Sequence, residues 1–127
     1  MAIRTELNLR LQNTPGALAR VCEALAQEHV NIVALSLEAS GALRLIVDNH
    51  VHAAGVLRSR HHHVEERDVL FTLAPNGPGA IAGLARLLSE EGVNLEYMYT
   101  TASDSDAMST IVAGVPDVQR ASMAAGV

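Results

Sequence analysis

The sequence predicts an α+β protein built from two copies of one β-α-β-β-α-β unit, and three observations predict it. Residues 13–32, NTPGALARVCEALAQEHVNI, and residues 76–95, NGPGAIAGLARLLSEEGVNL, are identical at nine of twenty positions at a constant offset of 63. Such agreement in a single register exceeds what shared composition produces and marks a duplication. In both copies an Asn-x-Pro-Gly break separates a strand-like run from an apolar stripe of helical period. In both, strand, helix, two strands and a second helix then follow in the same order. This is the split βαβ plan, with helices on one face of a four-stranded antiparallel sheet. The expected boundaries are 1–67 and 68–127.

The elements follow from residue pattern. Residues 3–11 alternate Ile3, Thr5, Leu7, Leu9 and Leu11 against Arg4, Glu6, Asn8 and Arg10, the signature of a half-buried strand. Gln12 to Gly16 break it, and Pro15 suits a helix start. Leu18, Val21, Cys22 and Leu25 form one stripe of a helix ending near His29. Strands are expected at 31–38 and 42–48, joined by a turn at Ser40-Gly41, then a helix at 51–59 and a strand at 61–67. That strand runs on through Asp68 into the second copy. There the pattern predicts a strand at 69–74, a helix at 78–91, strands at 94–101 and 107–113, and a helix at 116–124. The sequence given ends at Val127, where a last strand of copy two is due. That strand is either missing or supplied from elsewhere. A unit of about 60 residues buries too little surface to stand comfortably alone, and an incomplete sheet leaves an edge to be covered. Both considerations predict packed units that dimerise further.

Composition excludes several functions. Nine basic residues, all Arg, against fourteen acidic ones give a net charge of −5. No basic cluster is evident along the chain, so neither nucleic acid nor an anionic membrane is expected as a partner. Phe71, Tyr97 and Tyr99 are too few aromatics for a base-stacking surface. One cysteine, Cys22, precludes an internal disulfide or a multi-thiolate zinc site. Without a bilayer-length apolar run or a signal-like start, a cytoplasmic location is expected.

The repeated loop invites a ligand. Gly at a helix start lets a small molecule approach the backbone, and first-turn amides left unpaired attract a carboxylate. Asn13 and Asn76, with Asn31 and Asn94 at the following strand starts, offer a donor and an acceptor each. The same Asn-x-Pro-Gly is also a good turn with a local cap, which needs no ligand.

A strand, Asn-x-Pro-Gly-Ala-Leu/Ile opening a helix, and His/Gly-Val-Asn-Ile/Leu opening the next strand together resemble the ACT domain, a small regulatory module of amino-acid metabolism. Leu43-Arg44-Leu45-Ile46-Val47-Asp48 and Glu96-Tyr97-Met98-Tyr99 narrow the resemblance to stand-alone tandem ACT proteins. The resemblance implies two ferredoxin-like units and their pairing, here as a homodimer. It also implies a non-catalytic regulatory role with a free amino acid bound between paired units, and a partner enzyme of amino-acid metabolism as a further possibility. By the same resemblance the ligand contacts are Asn13, Gly16, Ala17, Leu18 and Asn31, with Asn76, Gly79, Ala80, Ile81 and Asn94 in copy two.

Other readings are weaker. His61 and His63 on one strand face near Glu65, or the pair His50 and His52, could ligate a metal, yet no metal or cofactor is expected. Asp104-Ser105-Asp106 reads as a solvated hairpin tip. Cys22 reads as core, Tyr97 and Tyr99 as junction-filling aromatics sharing one strand face, and Arg44 as exposed opposite an acidic neighbour. No nucleophile elbow, HExxH or phosphate-loop motif occurs, so an enzyme is not expected. A protein-interaction module without ligand is the alternative to amino-acid sensing.

Overall fold

The computed structural model describes residues 2–127, which form six strands and four helices. In chain order they are β1 (Ile3–Arg10), α1 (Ala17–Gln27), β2 (Ile32–Leu37), β3 (Ala42–Val47), α2 (His50–Ser59), β4 (Glu65–Pro75), α3 (Ala80–Glu90), β5 (Tyr97–Thr101), β6 (Met108–Gly114) and α4 (Val118–Ala125). They divide into two compact units, one spanning Thr5–Arg67 and the other Asp68–Val127 together with residues 2–4.

In the N-terminal unit the strand order is β2-β3-β1-β4. Antiparallel pairing sets Leu7 opposite Leu45 and Leu9 opposite Leu43, which aligns their side chains on one face. On that face these leucines, Val21, Ala24 and Leu25 of α1, and Ala53 and Leu57 of α2 make one core. The periodic residues of α1 therefore do what a 3.6-residue stripe predicts, except that Cys22 is half-buried at the margin of the stripe. The opposite face departs from expectation. Glu6 has no exposed surface, nor has Ile46, so β1 is covered on both sides at its centre. Asn8 Nδ2 donates to Glu6 Oε1 at 3.0 Å, supplying one of the hydrogen bonds that a buried carboxylate requires. Arg44, directly opposite Asn8, is likewise drawn in: its side chain is 18% exposed and its guanidinium lies 3.4 Å from Glu38.

The C-terminal unit repeats the plan around Leu70, Leu84, Leu88, Ile111 and Ala121. Leu7 and Leu70, like Leu25 and Leu88, are equivalent at the offset of 63, and all four are fully buried. β6 pairs with β4 on one side and β5 on the other. On the other side of β4 lies the start of the chain, which belongs to the same unit. Phe71 N–H donates to Ala2 C=O at 2.6 Å, and the Arg4 guanidinium sits 4.7 Å above the Phe71 ring. β1 and β4 thus each serve both units, changing allegiance near residues 4 and 67.

Three boundaries differ from the sequence expectation for identifiable reasons. Residues 61 and 62 still terminate α2, since His61 N–H and His62 N–H donate to the carbonyls of Arg58 and Leu57. The strand therefore begins at Glu65, and His61 and His63 do not share a strand face. His50 and His52 lie in the first turn of α2, not in an extended run. Asn94 precedes β5 by three residues instead of opening it.

Candidate functional site

Helix starts separate the four helices into two kinds. α2 and α4 are closed by side chains: Asn49 accepts from His52 N–H and Asp117 from Arg120 N–H, each at 3.1 Å. α1 and α3 have no side-chain cap. Each begins instead at a glycine in the left-handed region, Gly16 at φ 86° and Gly79 at φ 84°. Asn13 and Asn76 are thus not caps, while the turn that the Asn-x-Pro-Gly pattern predicts does form.

The two loops match bond for bond. Thr14 and Gly77 donate to Gln12 and Pro75, Ala17 and Ala80 to Thr14 and Gly77, and Arg20 and Gly83 to Gly16 and Gly79. The first helical bond in α1 is therefore made by Arg20. Among the described residues the amides of Leu18 and Ala19 make no hydrogen bond. This is the condition under which a helix start accepts an anion.

Those amides border a cavity of about 170 Å³, lined by the 11–14 loop, Gly16 to Ala19, Leu37, Glu38 and Gly41. The β2–β3 turn forms its far wall. Gly41 is held there by Leu11 N–H donating to its carbonyl at 2.8 Å, and its φ of 91° is one that side-chain-bearing residues rarely adopt. A Cβ at Gly41 would lie 2.1 Å from Leu11 O, so only glycine lets the turn close on the loop. Four of the sequence-derived residues, Asn13, Gly16, Ala17 and Leu18, meet in this cavity. Asn31 does not. It stands at the opposite end of β2, where its N–H donates to Asp48 Oδ1 at 3.1 Å. Glu38 was missed by sequence reasoning: nothing local marks a turn acid, and only strand pairing carries it to the loop.

The second copy is not equivalent. Asn76 Nδ2 donates to the carbonyls of Ser103 and Asp106, both at 2.9 Å, tying the loop to the longer β5–β6 turn. Space remains open in front of Gly79, where a Cβ would meet nothing within 4 Å, while Ile81 is exposed and Ala80 half-buried. Tyr97 and Tyr99 stack at 6.5 Å on one face of β5, while Met98 joins the core on the other. Tyr97 lies directly over Gly114, its register partner.

Among the described residues no three His, Cys, Asp or Glu side chains gather as metal ligands. His63 instead faces Glu65 at 3.4 Å, and His52 faces Glu28 at 3.7 Å. No helix is long and apolar enough to cross a membrane among these residues.

Strand order, helix placement and the uncapped loop define the class: a ferredoxin-like α+β fold of the ACT type. Residues 5–59 match the ACT domain. Protein BT0572 from Bacteroides thetaiotaomicron is 32% identical, with 97% of this chain and 86% of that one aligned at a TM-score of 0.89. The chain contains an ACT domain at 5–59 and belongs to one family with that Bacteroides protein. The regulatory subunits of aspartate kinase from Thermus flavus and Thermus thermophilus also share the fold. They show 14% and 16% identity, TM-scores of 0.68 and 0.69, 99% and 98% coverage of this chain, and 95% and 92% coverage of theirs. No curated protein matches the sequence.

Proposed function

We propose that this is a non-catalytic regulatory protein that senses a free amino acid at the 11–19 loop. The observation that carries the proposal is the pairing of opposite requirements across one small cavity. Unpaired first-turn amides of Leu18 and Ala19 stand on one wall, suited to a carboxylate. Glu38 stands on the other, and its carboxylate, which also faces Arg44 at 3.4 Å, is suited to an ammonium. Asn13, exposed at the rim, offers both a donor and an acceptor to either group. A zwitterion is the small molecule that matches both ends.

The C-terminal unit is the second ACT unit in this proposal, with Gly79, Ala80, Ile81 and Asn94 as its contacts and Asn76 held partly by its own turn. Pairing of two chains as a homodimer, and a partner enzyme of amino-acid metabolism, complete it. The likeness to aspartate kinase regulatory subunits supports this direction. A ligand shifts such an assembly only by its differential affinity for two arrangements.

Thermal unfolding of the full chain with each of the twenty amino acids tests the proposal. A ligand at a hundredfold excess over its Kd stabilises by about 2.7 kcal/mol, a shift easily read. Glu38→Gln and Asn13→Ala should reduce that shift. Absence of stabilisation by any amino acid at millimolar concentration would overturn it.

A further inference from the structure

A second cavity of the N-terminal unit has a different character. It encloses about 630 Å³ between the end of β1, the first turns of α1 and the α2–β4 connection. Its walls carry Arg10, Arg20, Arg60, His61 and His62 and no carboxylate. Along the chain these residues are scattered, which is why the sequence shows no basic cluster. The fold makes one. In a protein of net charge −5, three of the nine arginines converge here.

Outside the cavity, four other arginines have partners. Arg44 faces Glu38, Arg58 faces Glu66, Arg4 covers Phe71, and Arg120 donates to the Glu91 carbonyl. In this cavity the pattern splits into anchored and free groups. Arg10 donates to Ser40 O at 2.8 Å and Arg60 to Gln27 Oε1 at 3.2 Å, which holds each guanidinium in place with donors to spare. The side chains of Arg20, His61 and His62 make no hydrogen bond or ion pair among the described residues. The positive φ of His61, 69°, serves helix termination, because His29 ends α1 in the same way at 58°.

We propose that this cavity binds a small polyanion bearing two or more linked phosphate groups. Guanidinium forks match phosphate oxygens bidentately, and the volume lies within the range of ligand pockets, about 300–1,000 Å³. The cationic groups come from three separate elements, an arrangement that offers a polyanion more contacts than a single small anion. A long nucleic acid is disfavoured by the acidic remainder of the surface, whereas a compact polyanion meets only the local field. The site adjoins the amino-acid cavity: Leu11, Gln12 and Ala17 line both, and the Arg20 guanidinium lies close to Gly16.

Calorimetric titration of the full chain with inorganic tripolyphosphate, pyrophosphate and orthophosphate tests this. Affinity should rise with the number of linked phosphates and fall with added salt. Arg20→Gln and Arg60→Gln should each weaken tripolyphosphate binding at least about tenfold, with unchanged unfolding temperature for the exposed Arg20. Arg86→Gln, on α3 outside the cavity, should leave binding unaltered. Absence of binding by all three probes would overturn the proposal, and so would equal losses in the Arg20 and Arg86 variants. Glu38→Gln should spare tripolyphosphate binding while reducing amino-acid stabilisation, so the two sites fail or succeed independently.

Discussion

Replacing Ala19 with proline would delete one amide from the proposed carboxylate site and little else. Ala19 is exposed, its N–H makes no internal hydrogen bond, and the residue four positions earlier, Pro15, lies outside the helix. The usual objections to proline in a helix, a lost bond and a clash with the preceding turn, are therefore largely absent. What remains is the restriction on Leu18, whose helical conformation a following proline disfavours. The lost interaction is a hydrogen bond to a charged group, worth about 1.5–3 kcal/mol, or roughly 10- to 150-fold in Kd. The duplication supplies its own control. Ala82 occupies the same position at the start of α3, and Ala82→Pro imposes the same backbone change without touching the first cavity. Calorimetry with whichever amino acid stabilises the chain, alongside far-ultraviolet circular dichroism, separates binding from folding. Ala19→Pro should weaken binding at the N-terminal unit and Ala82→Pro should not. An unaltered Kd in Ala19→Pro, with helix content intact, would show that the free amides do not read the ligand.

Other substitutions test the scaffold that shapes the site. Gly41→Ala should cost about 2–3 kcal/mol in denaturant unfolding, combining left-handed strain with the loss of the Leu11–Gly41 bond. Gly79→Ala, with the same sign of φ but open space around it, should cost only the backbone share, about 1–2 kcal/mol. A Cβ at Gly114 would come within 2.3 Å of the Tyr97 ring, so Gly114→Ala should displace that ring. With two tyrosines and no tryptophan in the chain, near-ultraviolet circular dichroism and tyrosine fluorescence should report the change directly. Removing residues 2–4 should strip Phe71 N–H of its partner and its ring of Arg4. Hydrogen exchange at Phe71 should then accelerate well beyond that of residues in the N-terminal core, and unchanged protection would refute this role of the chain start.

Much of the fold was legible because its signals are local. The 63-residue repeat, the period-2 run at 3–11 and the stripe through Val21 and Leu25 each depend on residues a few positions apart, and the elements they predict form. The pattern does not anticipate the left-handed Gly16 and Gly79: it opens the helices at Pro15 and at residue 78, and both begin only after the glycine. Less could be read wherever a side chain's fate depends on a distant strand. Glu6 sits on what the alternation marks as the polar face, yet it is fully buried. The pattern predicts an exposed Arg44, and its side chain is only 18% exposed. The pattern predicts strand at 61–63, because nothing in it shows that α2 is still closing its last carbonyls.

By itself the sequence determined the repeated strand–helix pattern, the Asn-x-Pro-Gly breaks ahead of two helices, and most of the apolar stripes that form the core. Backbone preference and hydrophobic periodicity are encoded within a few residues, so they survive being read along a line. Only the tertiary structure decided that Glu38 stands across from the Leu18 and Ala19 amides, that Arg10, Arg20 and Arg60 share one cavity, and that residues 2–4 belong to the other unit. Those are juxtapositions created by strand pairing and chain return, and charge and cavity shape depend on distance in space.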